Sequence, residues 1–372
     1  MRSCEVRPLQ LVTYENGLQM QERLVAMRQR EEIVDQLLLL QHTPVFTLGR
    51  GGDRGNLLAS PDQLSASRIR FYETNRGGDI TYHGPGQLVG YPILHLGEGN
   101  RDVRKYVTKL EEVLIRTARD FGVEAKRSEK NRGIWVGNEK LAAIGVRIAR
   151  WVTSHGFALN IDPDMTHYRM ITACGLRDRG VTSLRKLREA PIVVEEVIPV
   201  VIRHFADVFE RELQVRRPEM KVAKVVIHDG EGVLLLRRTA AAGDFWQPVT
   251  GRVEDGELVA DAARRELIEE TAVDAPVEPL GITQSFLIDP RFTGTSTPVF
   301  ADEEAFVARF APGTKPVLDP SEHVEARWFT FPEAYEIIRW SDDREAIERV
   351  QSSLRLPAFG PVKNVEHVEQ HS

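Results

Sequence analysis

The chain has 372 residues, 42% hydrophobic and 28% charged, which is an ordinary globular composition and long enough for two domains. Its net charge of −6 is divided unevenly, with 31 Lys and Arg against 27 Asp and Glu over residues 1–215 and 18 against 28 over residues 216–372, and no basic stripe marks it for nucleic acid. The longest apolar runs, Leu37–Leu40 and Val233–Leu236, fall far short of the ~20 residues that span a bilayer.

In chain order, residues 14–33 read as an amphipathic helix, followed by strands at 36–41 and 44–48. Arg76 to Pro92, RGGDITYHGPGQLVGYP, is the stretch densest in glycine and proline. It predicts two short strands, Asp79–His83 and Gln87–Tyr91, joined as a hairpin by the turn His83–Gln87. Val107, Leu110, Val113 and Leu114 place a helix over 101–122, with Gly122 at its end. Strands follow at 133–137, 141–148 and 155–161. A third helix covers about 197–213, with Pro199 tolerable in its first turn. The polar run 214–219 then marks a domain boundary near 217, and a fresh hairpin follows, Lys221–Ile227 and Val233–Leu236. The organisation read is residues 1–216, residues 217–355, and a polar, fraying tail over 356–372. The N-terminal MRSCEVRPLQ has no apolar core of a leader, and two cysteines, Cys4 and Cys174, make no disulfide framework, so the expected compartment is the reducing cytoplasm.

The glycine-rich stretch, TPVFTLGR at Thr43–Arg50, KLAAIG at Lys140–Gly145, SHGFALNI at Ser154–Ile161, and ACGL with VTSL between Ala173 and Leu184 stand in one order. They resemble the blocks of bacterial octanoyltransferases, whose α/β (α+β) fold is shared with biotin and lipoate protein ligases. A lone cysteine is commonly a small buried hydrophobe; the resemblance implies instead that Cys174 takes the octanoyl group as a thioester, which an amine then attacks. It implies that Lys140, by itself a strand-edge lysine, favours the thiolate and shuttles protons. It further implies an acyl pocket lined by Arg76, Gly77, Gly78, Asp79, Ile80, Thr81, Tyr82 and His83, by Ala143, Ile144 and Gly145, and by Gly156, Phe157 and Ala158. His83 and His155 either orient that site or are hydrogen-bonded core histidines. The implied partners are octanoyl-acyl carrier protein and the lipoyl domains of 2-oxoacid dehydrogenases and the glycine cleavage H protein, with no cofactor. The mildly basic first half suits an acidic carrier, or is an ordinary solvated surface.

From Gly251 to Val273 the chain reads GRVEDGELVADAARRELIEETAV. Glu266, Glu269 and Glu270 stand at i, i+3 and i+4, on one face of a helix. Three like charges there repel unless a cation compensates, and hard oxygen ligands suit Mg²⁺ or Mn²⁺, although three glutamates by themselves read as a solvated acidic helix face. Gly251, Glu257 and the RELxEE run at Arg265–Glu270 resemble the Nudix hydrolase signature, which implies an α/β/α sandwich and metal-assisted cleavage of a diphosphate. Arg265 then orients a carboxylate. Ala272 stands where the signature has glycine, which predicts a local backbone adjustment. DFWQPVT at 244–250 and WSDDREAIE at 340–348 resemble the dihydroneopterin triphosphate pyrophosphatase branch; Phe245 and Trp246 either stack on a pterin or purine or are core aromatics, the commoner case. Glu322, in SEHVEARWF, resembles that branch's further metal ligand. The substrate expected is a nucleoside- or pterin-type triphosphate. Two alternatives stay open: a nucleotide-sensing second domain, and a lipoate ligase or amidotransferase as the first.

Overall fold

The computed structural model describes residues 2–97, 99, 101–128, 131–172 and 180–354; Cys174 and the tail after 354 lie outside them. Contacts divide the chain into two compact units. The first gathers the chain up to Leu9 and Gly17–Arg217, the second Gln10–Asn16 and the described residues from Pro218 to Leu354. The reading above put residues 10–16 with the first domain. They cluster with the second because their hydrogen bonds lie there: the Gln10 amide donates to Ser285 Oγ, Thr13 bonds Ser341, and Asn16 donates to Asp342.

The first unit begins with β1 (Arg2–Val12), α1 (Tyr14–Gln29), β2 (Asp35–His42), β3 (Val45–Leu48), α2 (Pro61–Ala66) and β4 (Arg70–Glu73). It continues through β5 (Thr81–His83), β6 (Gln87–Ile93), α3 (Val103–Asp120), β7 (Lys126–Arg127), β8 (Gly133–Val136), β9 (Glu139–Ala149) and β10 (Val152–Asn160). β11 (Gly180–Val181), α4 (Leu184–Arg188), α5 (Val194–Phe209) and β12 (Arg211–Val215) complete it. Its main sheet runs β1-β2-β6-β10-β9-β8-β7, with β12 beside β1 and β11 beside β9. Leu110, Val113 and Leu114 of α3 and Val197, Val201 and Phe205 of α5 pack with Leu37, Leu39, Leu88 and Leu159 of that sheet.

Two expectations are corrected here. The strands flanking the His83–Gln87 turn do not form a hairpin. β5 pairs with β3 in a separate sheet, β4-β3-β5, while β6 pairs with β2 and β10. Pro85 has no N–H to give to a ladder, and Gly86, at φ +84°, accepts from the amides of Ile161 and Asp162, so the turn hands the chain from one sheet to the other. An added Cβ on Gly86 would stand 2.2 Å from the Asp162 carbonyl oxygen. Pro199 lies inside α5, beyond the first turn, on the solvent-exposed face where water can serve the carbonyl it leaves unbonded.

The second unit has β13 (Met220–His228), β14 (Gly232–Arg238), β15 (Trp246–Gln247), β16 (Val249–Arg252), α6 (Val259–Thr271), β17 (Val277–Leu287) and α7 (Pro290–Thr293). β18 (Phe300–Arg309), β19 (His323–Thr330), α8 (Phe331–Ile337) and α9 (Ser341–Ser353) follow. The sheet order is β15-β14-β13-β18-β17, with β16 on β13 and β19 on β14. Alternation along the strands serves two faces: Ala223, Val225, Ile227, Leu234 and Leu236 meet α6, and Val226, Val233 and Leu235 meet α8 and α9. Helices on both faces make an α/β/α sandwich. At the end of α6, Ala272 itself takes the left-handed conformation (φ 55°, ψ 22°) and its N–H bonds Ile268 at 2.8 Å, so the backbone adjustment expected there is absent and the strain sits on one residue.

Two candidate active sites

In the first unit, antiparallel pairing sets Gly145 opposite Gly156, Ile144 opposite Phe157 and Ala143 opposite Ala158, so the two triplets form one patch in which the Ile144–Phe157 pair lies between the small ones. Close approach explains the glycines: a Cβ on Gly156 would lie 2.1 Å from the Gly90 carbonyl oxygen, and one on Gly145 2.8 Å from that of Gly77. The loop at Arg76 meets the patch through the Gly77 amide, which donates to Val146 O at 3.0 Å. Arg76 is buried and braces this loop, donating from Nη2 to Thr47 O (2.6 Å), Thr47 Oγ1 (2.8 Å) and Asp79 O (2.8 Å). Gly77 and Gly78 are exposed beside it, and the Asp79 carboxylate accepts from the amides of Asp53 and Ile80 and from Asn56. Thr81 pairs with Thr47, while Ile80 and Tyr82 sit in the core of the small sheet with Phe46 and Ile171.

Both histidines are hydrogen-bonded inside the fold. His83 meets Gln87 at 2.7 Å and Thr47 at 3.3 Å, and His155 meets Asn75 at 3.0 Å. Burial, then the neighbouring His42, holds His83 well below the usual histidine range; burial, then Arg76, brings His155 down to about 3. His155 also carries a positive φ of 55° in mid-strand, its amide donating to Gln21 Oε1 at 2.6 Å. Lys140 lies three residues before Ala143 on β9, 8% exposed, its ammonium 4.8 Å from the centre of the Trp135 ring. The described chain stops at Thr172, whose amide bonds Asn56 O, and resumes at Gly180–Val181, which pair with Glu139–Lys140. Trp135 carries no motif signal and is found only through this contact.

In the second unit, α6 presents Glu266 and Glu270 to the sheet and Glu269 toward solvent. Gly251 on β16 is the floor beneath Glu266: a Cβ there would stand 1.7 Å from the Glu266 carboxyl carbon. Arg265 gathers the carboxylates around it, donating to both Glu257 oxygens (2.9 and 3.0 Å), to Glu266 (2.7 Å) and to Glu269 (3.0 Å). Glu270 is 3% exposed and neither carboxylate oxygen makes a regular hydrogen bond. Burial, then Glu266 and Glu322, pushes its carboxyl well above the usual range. A buried, unpaired carboxylate among two others is what a divalent cation would stabilise, so the residues present fit a metal. Ligand atoms of Glu270, Glu322 and His323 all lie within 4.8 Å of one another, which leaves both Glu266 and Glu269 outside that group. Glu269 does not share the inward face with the other two helix glutamates, because its side chain turns to solvent and to Arg265. No motif in the sequence marks His323, although it directly follows Glu322.

The two aromatic residues at 245–246 have separate fates. Trp246 is buried against Phe329, ring centres 5.0 Å apart, and belongs to the core. Phe245 is half-buried and meets Phe292 and Trp340 edge to face, at 6.3 and 6.2 Å. The strand end joins this aromatic group to the carboxylates, because the Arg238 amide donates to Phe245 O while its guanidinium holds Glu322 at 2.7 Å.

The lipoyl protein ligase A/B catalytic domain family matches residues 13–206, and the NUDIX domain family matches residues 218–350. An octanoyltransferase of Myxococcus xanthus is 39% identical over 359 residues, 94% of this chain and 99% of its own length, so the similarity spans both units. An octanoyltransferase of Solibacter usitatus is 50% identical over 213 residues, 57% of this chain and 96% of its own. Among solved structures, protein Ta0514 of T. acidophilum with bound lipoic acid superposes with a TM-score of 0.50 at 16% identity, covering 58% of this chain and 90% of that one, a likeness of fold. Among the described residues, no helix is long and apolar enough to cross a membrane.

Proposed function

Given that the chain belongs to the lipoyl protein ligase A/B catalytic family, as an octanoyltransferase with a Nudix hydrolase domain behind it, we propose that octanoyl passes from acyl carrier protein to Cys174 and then to a lipoyl-domain lysine. The observation that carries this reading is the apposed patch of Ala143–Gly145 and Gly156–Ala158 beneath the loop at Gly77. Gly145 and Gly156 let the loop at Gly77 and strand β6 approach this patch closely, and in this reading the alkyl chain lies against it with backbone amides serving the thioester carbonyl. Lys140, on the same strand and beside the segment that resumes at Gly180, holds or moves the proton as the thiolate attacks and the amine is acylated. A nucleophilic cysteine separates this chemistry from ligation, which activates the acid with ATP. Such a thiol belongs to a reducing cytoplasm.

The second unit, in the same proposal, hydrolyses a nucleoside- or pterin-type triphosphate. Glu270 and Glu322, with Glu266 beside them and Glu269 at the exposed edge, would hold Mg²⁺ or Mn²⁺, which would polarise the diphosphate and activate water. Arg265 keeps the carboxylates aligned, and Phe245 with Phe292 and Trp340 offers rings for the heterocycle; Trp246, buried, does not.

Incubation with octanoyl-acyl carrier protein is expected to add one octanoyl mass, labile to hydroxylamine, to the wild type and none to Cys174→Ser; an equal adduct on the variant removes Cys174 from the mechanism. Release of pyrophosphate from a nucleotide and pterin triphosphate panel, with Glu270→Gln as control, tests the second activity. No turnover of any member favours a sensing module instead.

A further inference from the structure

His323 opens β19 in a place where the ladder is irregular. Arg238 faces His323 and Arg237 faces Glu325, so Val324 is the extra residue. Val324 is left 58% exposed and His323 1% exposed. A bulge of this kind re-aims a side chain, here a ring that faces inward. Neither ring nitrogen has a hydrogen-bond partner, an arrangement that costs stability in a buried polar group. Nε2 stands 3.7 Å from Glu270 Oε2, too far for a hydrogen bond. Two ligand atoms each ~2.1 Å from one ion stand between ~3.0 Å apart at right angles and ~4.2 Å apart on opposite sides, so 3.7 Å is a spacing that one cation bridges. The Glu270 oxygens beside it make no regular side-chain hydrogen bond and have the Thr250 backbone near them, and Glu322 reaches the same space from the preceding residue.

We infer that His323 is a nitrogen ligand of the metal in the Nudix unit, completing a mixed set with Glu270 and Glu322. The inference rests on the metal-dependent reading of that unit. One imidazole among carboxylates changes which ions the site prefers, because nitrogen donors raise affinity for Co²⁺, Ni²⁺ and Zn²⁺ over Mg²⁺. The consequence is a centre that discriminates against Mg²⁺ more strongly than an all-oxygen one.

The test uses the full-length chain and Mn²⁺, detected by electron paramagnetic resonance with echo modulation. Wild-type protein is expected to show ¹⁴N modulation from a directly bound imidazole, converted to ¹⁵N modulation when only histidine is ¹⁵N-labelled, a result that needs no variant to fold. His323→Gln should lose the modulation and bind Mn²⁺ at least about tenfold more weakly, a loss that even an outer-shell partner of a ligand produces. His228→Gln, at the far end of β13, should retain both. Mn²⁺ bound without histidine modulation overturns the ligand assignment alone. No Mn²⁺ bound by the wild type, or binding unaffected by Glu270→Gln, overturns the metal reading as well.

Discussion

Gly251 shows how a single missing side chain makes room for a neighbouring carboxylate. Its Cβ position is already occupied by the Glu266 carboxyl group, 1.7 Å away, so any larger residue must displace that carboxylate. Gly251→Ala is expected to lower hydrolysis by the Nudix unit about 100-fold, the scale of a ~1 Å misplacement, and to leave octanoyl transfer unchanged. Steady-state assays of both activities on one preparation check this. His155 makes the comparable point for the first unit. Its folded-state value of about 3 lies below the ordinary ~6.5, so the unfolded chain binds the proton first, and stability is present above pH ~6.5 and lost as pH falls toward 3. The slope contributed is at most about 1.4 kcal/mol per pH unit. His155→Asn, which tolerates the positive φ, should flatten the loss of melting temperature between pH 6.5 and 4.5. An unchanged slope would assign the effect to other groups. The glutamates, the glycine beneath them and Lys140 are legible in the sequence because each sits in a spaced motif. Trp135 and His323 are not, because their meaning comes from a ring 4.8 Å from an ammonium and a nitrogen 3.7 Å from a carboxylate.

Among the elements, β13, β18 and α9 share a buried charge cluster. The Lys224 ammonium, 1% exposed, meets Glu303 at 2.5 Å, Asp343 at 2.6 Å and Asp342 at 2.9 Å. Burial pushes Glu303 up to about 8 and Asp343 up to about 6, with Lys224 opposing both shifts. Removing the buried ammonium strands three acids in the interior, so Lys224→Met should destabilise the second unit by about 3–5 kcal/mol despite its apolar side chain. Urea denaturation followed through a tryptophan of that unit measures it, and a loss below 1 kcal/mol would mean that the acids have taken up protons without cost. Strand periodicity located β13 as Lys221–Ile227, close to the observed Met220–His228. It did not locate the cluster, since Lys224 simply continues the alternation on the face toward α9. The same limit explains the turn at His83–Gln87. Local glycine and proline read as a hairpin, and only pairing with distant strands shows that β5 and β6 belong to different sheets.

At the scale of the whole molecule, the second unit includes residues from the start of the chain. Thr13 and Ser341 bond at 2.6 Å, Asn16 donates to Asp342 at 3.1 Å, and Gln10 donates to Ser285 at 2.8 Å. A fragment of residues 218–354 therefore leaves buried polar groups on Ser341 and Asp342 without those partners. It should melt several degrees below the same fragment supplemented with a saturating peptide of residues 7–18. Differential scanning calorimetry of the two samples decides, and equal melting temperatures would show that the segment is dispensable.

The amino-acid sequence by itself determined that an octanoyltransferase-type domain is followed by a Nudix domain, since each is carried by spacing within short segments: the RELxEE run at Arg265–Glu270 for one, and the glycine-rich stretch with KLAAIG and SHGFALNI for the other. Tertiary structure alone decided which of those residues meet. It set Gly145 opposite Gly156, buried Trp246 while leaving Phe245 at the surface, brought His323 to Glu270, and gave residues 10–16 to the second unit. The physical reason is range. Backbone propensity and side-chain periodicity act over a few residues, whereas strand register, burial and the pairing of buried charges depend on groups that are close in space and far apart in the chain.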